Sequence, residues 1–136
     1  MAKGRDKYEA RQQELSLFGK DLVRRCGAQC EMCGDSGVSL SIFEVPPVPN
    51  EPDFDRCAMF CETCQEQIGN PKRRDNNHWR CLNGAIWSEV PVVKALAVAM
   101  LDKVAAQEEW AKDLQEQVYL HEGEQELIDQ IATELK

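Results

Sequence analysis

Four cysteines occur in this sequence as two pairs with the spacing of metal ligands. Cys30 and Cys33 form the first pair, and Cys61 and Cys64 form the second. Two intervening residues let both sulfurs of a pair reach one ion, so the pairs can place four thiolates around Zn²⁺ in a tetrahedron. Four thiolates leave no open coordination position for water or substrate. The pattern therefore predicts a structural zinc rather than a catalytic one.

Two other interpretations of the paired cysteines stay open. Free cysteines pack like small hydrophobic residues, so four buried thiols would produce the same pattern. A catalytic dithiol is disfavoured because neither pair lies in a strand–helix–strand context. Of the remaining cysteines, Cys26 and Cys57 are expected to pack in the interior. Cys81 follows His78 with metal-ligand spacing, but two cysteine pairs already satisfy one zinc, so packing is the favoured role.

Hydrophobic periodicity predicts the elements that position the cysteine pairs. An amphipathic helix is predicted over residues 6–26, with Gly27 as its stop. Apolar residues alternate with serines over residues 38–42, which indicates a half-buried strand. Prolines then enforce a loop, and residues 56–60 are the predicted returning strand. A short helix over residues 62–68 follows.

The second half of the chain is predicted to be helical. A mostly buried helix is expected over residues 91–106, followed by an amphipathic segment and a last acidic helix after Gly123. The predicted fold class is α+β: a small zinc-stapled β-hairpin, treble-clef-like or zinc-ribbon unit with an N-terminal helix and a helical C-terminal half. The predicted regions are the helix 1–27, the Cys₄ zinc module 28–83 and the acidic helical region 84–136.

Composition and charge exclude several classes of protein. The 136 residues are 43% hydrophobic and 29% charged, which is typical of one globular domain. The net charge of −8 disfavours a general nucleic-acid binder, although residues 107–136 alone contribute −7. The N-terminus is charged and has no signal peptide, and the most apolar run, 90–101, is too short for a membrane span. We therefore expect a cytoplasmic protein whose cysteines bind metal.

One dense basic patch is a candidate for nucleic-acid contact. It consists of Lys72, Arg73 and Arg74, with Trp79 and Arg80 nearby. Basic residues beside an aromatic side chain could contact RNA or single-stranded DNA by phosphate pairing and base stacking. The alternative is an ordinary solvated loop, and the negative net charge favours that alternative.

Several motifs together resemble the PhnA family, which is named after an alkylphosphonate-uptake operon. The matching segments are Cys30 to Gly34, Leu40 to Pro47, Cys61 to Cys64, Asn77 to Asn83, Trp87 to Pro91 and Trp110 to Leu114. The resemblance covers about residues 15–120 and implies a zinc-binding N-terminal domain with the four paired cysteines as ligands. Longer relatives continue into a small β-barrel-like domain. This chain instead ends in an acidic segment, so we expect a short family member or a truncated chain.

A more distant resemblance is to zinc-stapled HNH endonucleases, which share the treble-clef frame. Those enzymes need a histidine at the end of the first strand to activate water, and a histidine or asparagine on the following helix to hold a divalent ion. This chain has Glu44 among the residues at the first place and Gln65 at the second. The scaffold is therefore expected to be degenerate and to lack nuclease chemistry.

The leading hypothesis for function is a non-catalytic zinc-binding protein that resembles the PhnA family and acts through interactions. A protein partner, or a homodimer through the C-terminal helices, would suit their amphipathic pattern. One alternative is a nucleic-acid-binding module on a degenerate HNH or treble-clef scaffold. A second alternative is an enzyme whose site the motifs do not reveal.

Overall fold

The computed structural model describes residues 2–135, with side chains from Asp6 onward, so Met1 and Lys136 of the predicted terminal regions lie outside it. The described residues form an antiparallel hairpin and a set of helices. The strands are β1 (Leu40–Glu44) and β2 (Cys57–Cys61). The α-helices are α1 (Ala2–Ser16), α2 (Gly19–Cys26), α3 (Glu62–Gly69), α4 (Leu82–Ala85), α5 (Pro91–Ala105), α6 (Glu109–Gln115) and α7 (Glu124–Glu134). Short 3₁₀ turns occupy Phe54–Arg56, Pro71–Arg73 and His78–Cys81.

The predicted N-terminal helix is two helices. The chain turns at Leu17 and Phe18, directly before Gly19, a residue with poor helix propensity. The turn brings the Phe18 ring edge-on to the Phe54 ring, with the centroids 5.6 Å apart. At the other end, Gly27 adopts φ 61° and caps α2, as predicted.

The hairpin places hydrophobic residues on both of its faces. Leu40 is opposite Cys61, and the pairing continues to Glu44 opposite Cys57. On one face, Ala58 and Phe60 of β2 contribute to the main core (Cys30, Met32, Phe60, Trp79, Leu96, Met100, Ile131 and their neighbours). On the other face, Cys57 and Met59 contact the N-terminal helices in a small core with Leu15 and Leu22. β2 is buried throughout because both of its faces are covered.

Helix α5 is the centre of the C-terminal half. Eleven of its fifteen residues are buried, as its run of Ala, Leu and Val predicts. The main core continues from the cysteine pairs through β2 into α5 and α7, and thus across the predicted boundary at residues 83 and 84. None of the described helices combines the length and apolarity needed to cross a bilayer.

One ion pair between α5 and α7 makes a pH-dependent contribution to the stability of the fold. Lys94 Nζ lies 2.9 Å from Glu124 Oε1, and the backbone N–H of His121 donates to the same oxygen. Partial burial opposes ionisation, but these hydrogen bonds outweigh it and lower the pKa of Glu124 below its usual 4.5. A carboxylate with a lowered folded-state pKa stabilises the protein above its unfolded-state pKa. That stabilisation is lost as the pH falls through the folded-state pKa.

We therefore expect Glu124→Gln to lower the Tm at pH 7 and to have progressively less effect below pH 4.5. The measurement is the difference in Tm between the two proteins from pH 7 to pH 3. Glu51→Gln is the control, because this exposed carboxylate has no hydrogen bond or ion pair with the described residues. A Tm difference for Glu124→Gln that stays constant with pH would contradict the assignment.

Candidate metal centre

The first cysteine pair lies in a tight turn before β1. The backbone N–H of Gly34 donates to the Cys30 carbonyl at 2.8 Å, and Gly34 adopts φ 80°. This left-handed conformation favours glycine, as the position after the first pair predicts. The turn aims the backbone N–H of Cys33 at Cys30 Sγ, at 3.5 Å. Met32 lies between the two cysteines and is buried in the main core, which anchors the turn.

The second pair lies where β2 passes into α3. Cys61 is the last residue of β2 and the N-cap of α3, and its sulfur accepts from the backbone N–H of Cys64 at 3.4 Å. The N–H of Cys61 in turn donates to Cys30 Sγ at 3.3 Å. The short helix predicted over residues 62–68 is α3; Cys64 lies in its first turn, and Cys61 caps it. Positive potential at the helix N-terminus and N–H donors both favour thiolates here.

The four sulfurs have the separations that a tetrahedral zinc site requires. All four lie within 4.8 Å of one another. Cys30 Sγ and Cys64 Sγ are 3.8 Å apart, and Cys33 Sγ and Cys61 Sγ are 3.7 Å apart. With Zn–S bonds of about 2.3 Å, the edge of a tetrahedron is about 3.8 Å. The donor set therefore fits zinc, and the spacing brings both pairs together as predicted.

The thiols differ in acidity because they share one small space. Hydrogen bonding with Cys64 lowers the pKa of Cys30 to about 4, with help from the N–H groups of Cys33 and Cys61. Burial raises the pKa of Cys33 to about 12. The contact with Cys30, together with burial, also raises the pKa of Cys64. The first negative charge opposes further ionisation, and a divalent cation would offset that repulsion. Metal binding is thus expected to release protons.

Searches of protein-family models, curated proteins and solved structures return no match to this chain. The interpretation of the metal centre consequently depends on the cysteine geometry and its surroundings. The PhnA resemblance stays a prediction from the motifs.

Glu31, the residue after the first cysteine, connects the first turn to β2. Its carboxylate accepts two hydrogen bonds from the Arg25 guanidinium, at 2.8 and 2.9 Å, and one from the N–H of Met59 at 2.9 Å. Arg25 also donates to the Cys57 carbonyl at 2.9 Å. The Glu31 side chain is 6% exposed and the Arg25 side chain is 23% exposed, so this is a partly buried ion pair. It fixes the distance between the turn that carries Cys30 and the strand that leads to Cys61.

His78 lies beside the cysteine pairs, a contact that the sequence spacing did not predict. Its Nε2 lies 3.2 Å from Cys64 Sγ. An imidazole with its hydrogen on Nε2 donates to a thiolate at this place and offsets part of its charge. The only sequence signal was the spacing of His78 and Cys81, which suggested both as ligands. The structure instead places His78 beside a ligand.

A buried glutamine holds the loop that carries His78. Gln67 Oε1 accepts from the Trp79 indole Nε1 at 2.9 Å and from the backbone N–H of Asp75 at 2.7 Å. Trp79 has no exposed surface, and Gln67 is the one buried polar residue of the described chain. A buried indole N–H needs an acceptor, which explains the glutamine in this apolar setting. The His78 ring then packs edge-on against Trp79, with the centroids 5.2 Å apart.

We expect His78→Phe to weaken zinc binding about 10- to 100-fold, because the Cys64 thiolate loses its hydrogen-bond donor. The measurement is competition for zinc against a chromophoric chelator. His78→Gln is the matched variant, because its amide N–H₂ can donate to the sulfur and should retain part of the affinity. Equal affinity for wild type and His78→Phe would contradict this role.

The three remaining cysteines lie outside the metal centre. Cys57 is buried in the small core, and burial raises its pKa to about 11. Cys26 packs against the edge of the same core. Cys81 contacts the main core, and burial raises its pKa to about 12. Among the described residues the metal-ligating cluster contains none of these three thiols.

Three basic residues of the patch, Lys72, Arg73 and Arg80, are exposed, and Arg74 is half-buried. Arg73 pairs with Glu66, and Arg74 donates to the Gln67 and Ile68 carbonyls. Arg80 lies over the Trp110 ring, 5.0 Å from its centroid. Lys72 is exposed in the 3₁₀ turn.

Trp79, a candidate for base stacking in the nucleic-acid alternative, is buried in this structure. The side chain has no exposed surface, so its ring cannot stack on a nucleic-acid base. The side chain is buried because its large apolar ring packs in the main core. There Gln67 accepts the hydrogen bond of the indole N–H.

Glu44 and Gln65, the two residues compared above with nuclease catalytic residues, make structural contacts. Glu44 accepts hydrogen bonds from Arg11 Nε and Nη2 at 2.9 and 2.6 Å. Arg11 also donates to the Pro49 and Asn50 carbonyls, so the pair ties α1 to the proline-rich loop. Gln65 donates to Ser41 Oγ at 2.7 Å and to the Phe60 carbonyl at 3.0 Å. Both side chains hold the hairpin in place.

Proposed function

We propose that this chain is a zinc-binding protein in which the metal is structural and the function is non-catalytic. The observation that carries the proposal is the sulfur geometry. Two cysteine pairs, one before β1 and one after β2 at the same open end of the hairpin, approach each other with sulfur separations of 3.7 and 3.8 Å, close to the edge of a ZnS₄ tetrahedron. Zinc would join the turn before β1 to the helix after β2.

The surroundings of the four sulfurs support a structural role for the metal. Cys30, Cys61 and Cys64 are buried and Cys33 is half-buried, so the centre is largely closed to solvent. Four thiolates complete the coordination of zinc, and a catalytic zinc needs an open position. Glu44 and Gln65 are engaged in structural contacts and offer no replacement for the nuclease residues. Membership of the PhnA family, on the motifs alone, is part of this proposal.

Metal content is the direct test. We expect one zinc per chain by elemental analysis of protein purified without added metal, and loss of that zinc in Cys61→Ser. Cys26→Ser is the matched control because Cys26 is a thiol outside the centre, and this variant should keep its zinc. Protein that carries no zinc and binds none when zinc is supplied would overturn the proposal.

A further inference from the structure

A second candidate site lies away from the cysteines, between two loops of the helical half. A cavity of about 540 Å³ is bordered by the turn after α4, the first turn of α5 and the loop before α7. None of the four paired cysteines lines it. Its volume falls within the range of about 300–1,000 Å³ that is usual for binding pockets.

Two aromatic side chains border this cavity and are open to solvent. Trp87 is 53% exposed and Tyr119 is 64% exposed. The other two tryptophans are covered: Trp79 is fully buried, and Arg80 lies over the Trp110 ring. Trp87 has neither a cation nor a ring against its face among the side chains that the structure describes. Exposed aromatic rings are typical of recognition surfaces.

The charges around the cavity favour a cation. Lys94 is the lysine of its lining, and its ammonium is already bound by Glu124 at 2.9 Å and by the Tyr119 carbonyl at 2.8 Å. Glu89 also lines the cavity, is exposed and has no hydrogen bond or ion pair with residues 6–135. The lining therefore offers one uncompensated carboxylate beside two aromatic rings.

Elsewhere in this chain, one arginine side chain contacts a carboxylate and an aromatic ring at the same time. Arg25 donates two hydrogen bonds to Glu31 while its guanidinium lies 5.4 Å from the centroid of the Phe54 ring. A guanidinium is planar, so it can stack on a ring and donate to a carboxylate at the same time. A lysine ammonium has no flat face and no fixed pair of donors.

We propose that Trp87, Tyr119 and Glu89 bind an arginine side chain presented by a peptide segment of a partner protein. The guanidinium stacks on the aromatic rings and donates to the Glu89 carboxylate. The inference deepens the proposed non-catalytic function, on which it rests, by naming the chemistry of its partner. A negatively charged chain with an open aromatic cavity suits a basic partner.

The test uses zinc-loaded, full-length protein and a short Gly/Ser peptide with one central arginine. Binding is followed by NMR through the Trp87 indole N–H signal, which is identified by its absence in Trp87→Leu. We expect this signal to shift on titration, and we expect at least about tenfold weaker binding of a peptide with citrulline, the uncharged isostere of arginine. Glu89→Gln should weaken arginine binding similarly, whereas Tyr8→Leu, an exposed aromatic on α1, should not.

Zinc content and Tm are measured on every variant, so loss of the metal centre is distinguished from loss of the peptide site. Equal binding of the arginine and citrulline peptides would overturn the proposal, as would unchanged binding by Glu89→Gln. An indole shift that depends on protein concentration without peptide would also overturn it, because a second copy of the chain would then occupy the cavity.

Discussion

Removal of zinc is expected to unfold the protein in a single cooperative transition at physiological temperature. A structural zinc contributes about 10–16 kcal/mol of apparent binding free energy at neutral pH, which equals or exceeds the total stability of about 5–15 kcal/mol of a typical domain. A two-stranded hairpin is marginal without other support. The main core also continues from Cys30 and Met32 into α5, so loss of the cysteine turn exposes the helical half.

Far-UV circular dichroism during chelator titration measures this effect, with zinc content determined on the same samples. Readdition of Zn²⁺ should restore the signal, whereas Mg²⁺ should not, because it prefers oxygen ligands. An unchanged Tm in protein shown to be free of zinc would contradict a structural role for the metal. A transition confined to the hairpin would contradict the shared core.

Glu31→Ala is expected to destabilise the zinc-loaded protein by about 1.5–3 kcal/mol, because it leaves the N–H of Met59 without its acceptor and the Arg25 guanidinium with the Cys57 carbonyl alone. The four cysteines are unchanged, so the folded variant should still bind one zinc. The free energy of unfolding by urea, measured with zinc in excess, gives the effect.

The matched control for Glu31→Ala is Glu66→Ala, which removes an exposed ion pair with Arg73. Exposed pairs contribute at most about 1 kcal/mol, so this change should be small. Arg25→Ala, alone and combined with Glu31→Ala, completes a double-mutant cycle. Arg25→Ala should destabilise the Glu31→Ala protein much less than it destabilises the wild type. Equal destabilisation by Glu31→Ala and Glu66→Ala would show that the pair of Glu31 with Arg25 does not hold the turn.

The cysteine pairs were the part of the site that the sequence could predict, because their geometry is local. Two residues between cysteines, a following Gly34 and a helix beginning after Cys61 define how each pair presents its sulfurs. The first strand was predicted from alternation and the second as the returning strand of the hairpin, although each begins one or two residues later than expected. Helix α5 could be recognised from its apolar run and its N-terminal Pro91.

The N-terminal helix shows where local pattern was insufficient. Hydrophobic spacing continues through Leu17 and Phe18, so periodicity alone predicts one helix. At the turn, Phe18 contacts Phe54, which is far away in sequence. A favourable long-range contact therefore acts together with the poor helix propensity of Gly19 at the break between α1 and α2.

The sequence by itself thus determined which four cysteines form the cluster, the hairpin beside them and the buried helix α5, because these depend on residues close together in the chain. The tertiary structure alone decided which side chains surround the four sulfurs and which face solvent. It brings His78 close to Cys64, buries Trp79 against Gln67 and leaves Trp87 exposed to solvent. Burial and partner choice depend on which distant segments pack together, and that free energy has no local signature in the sequence.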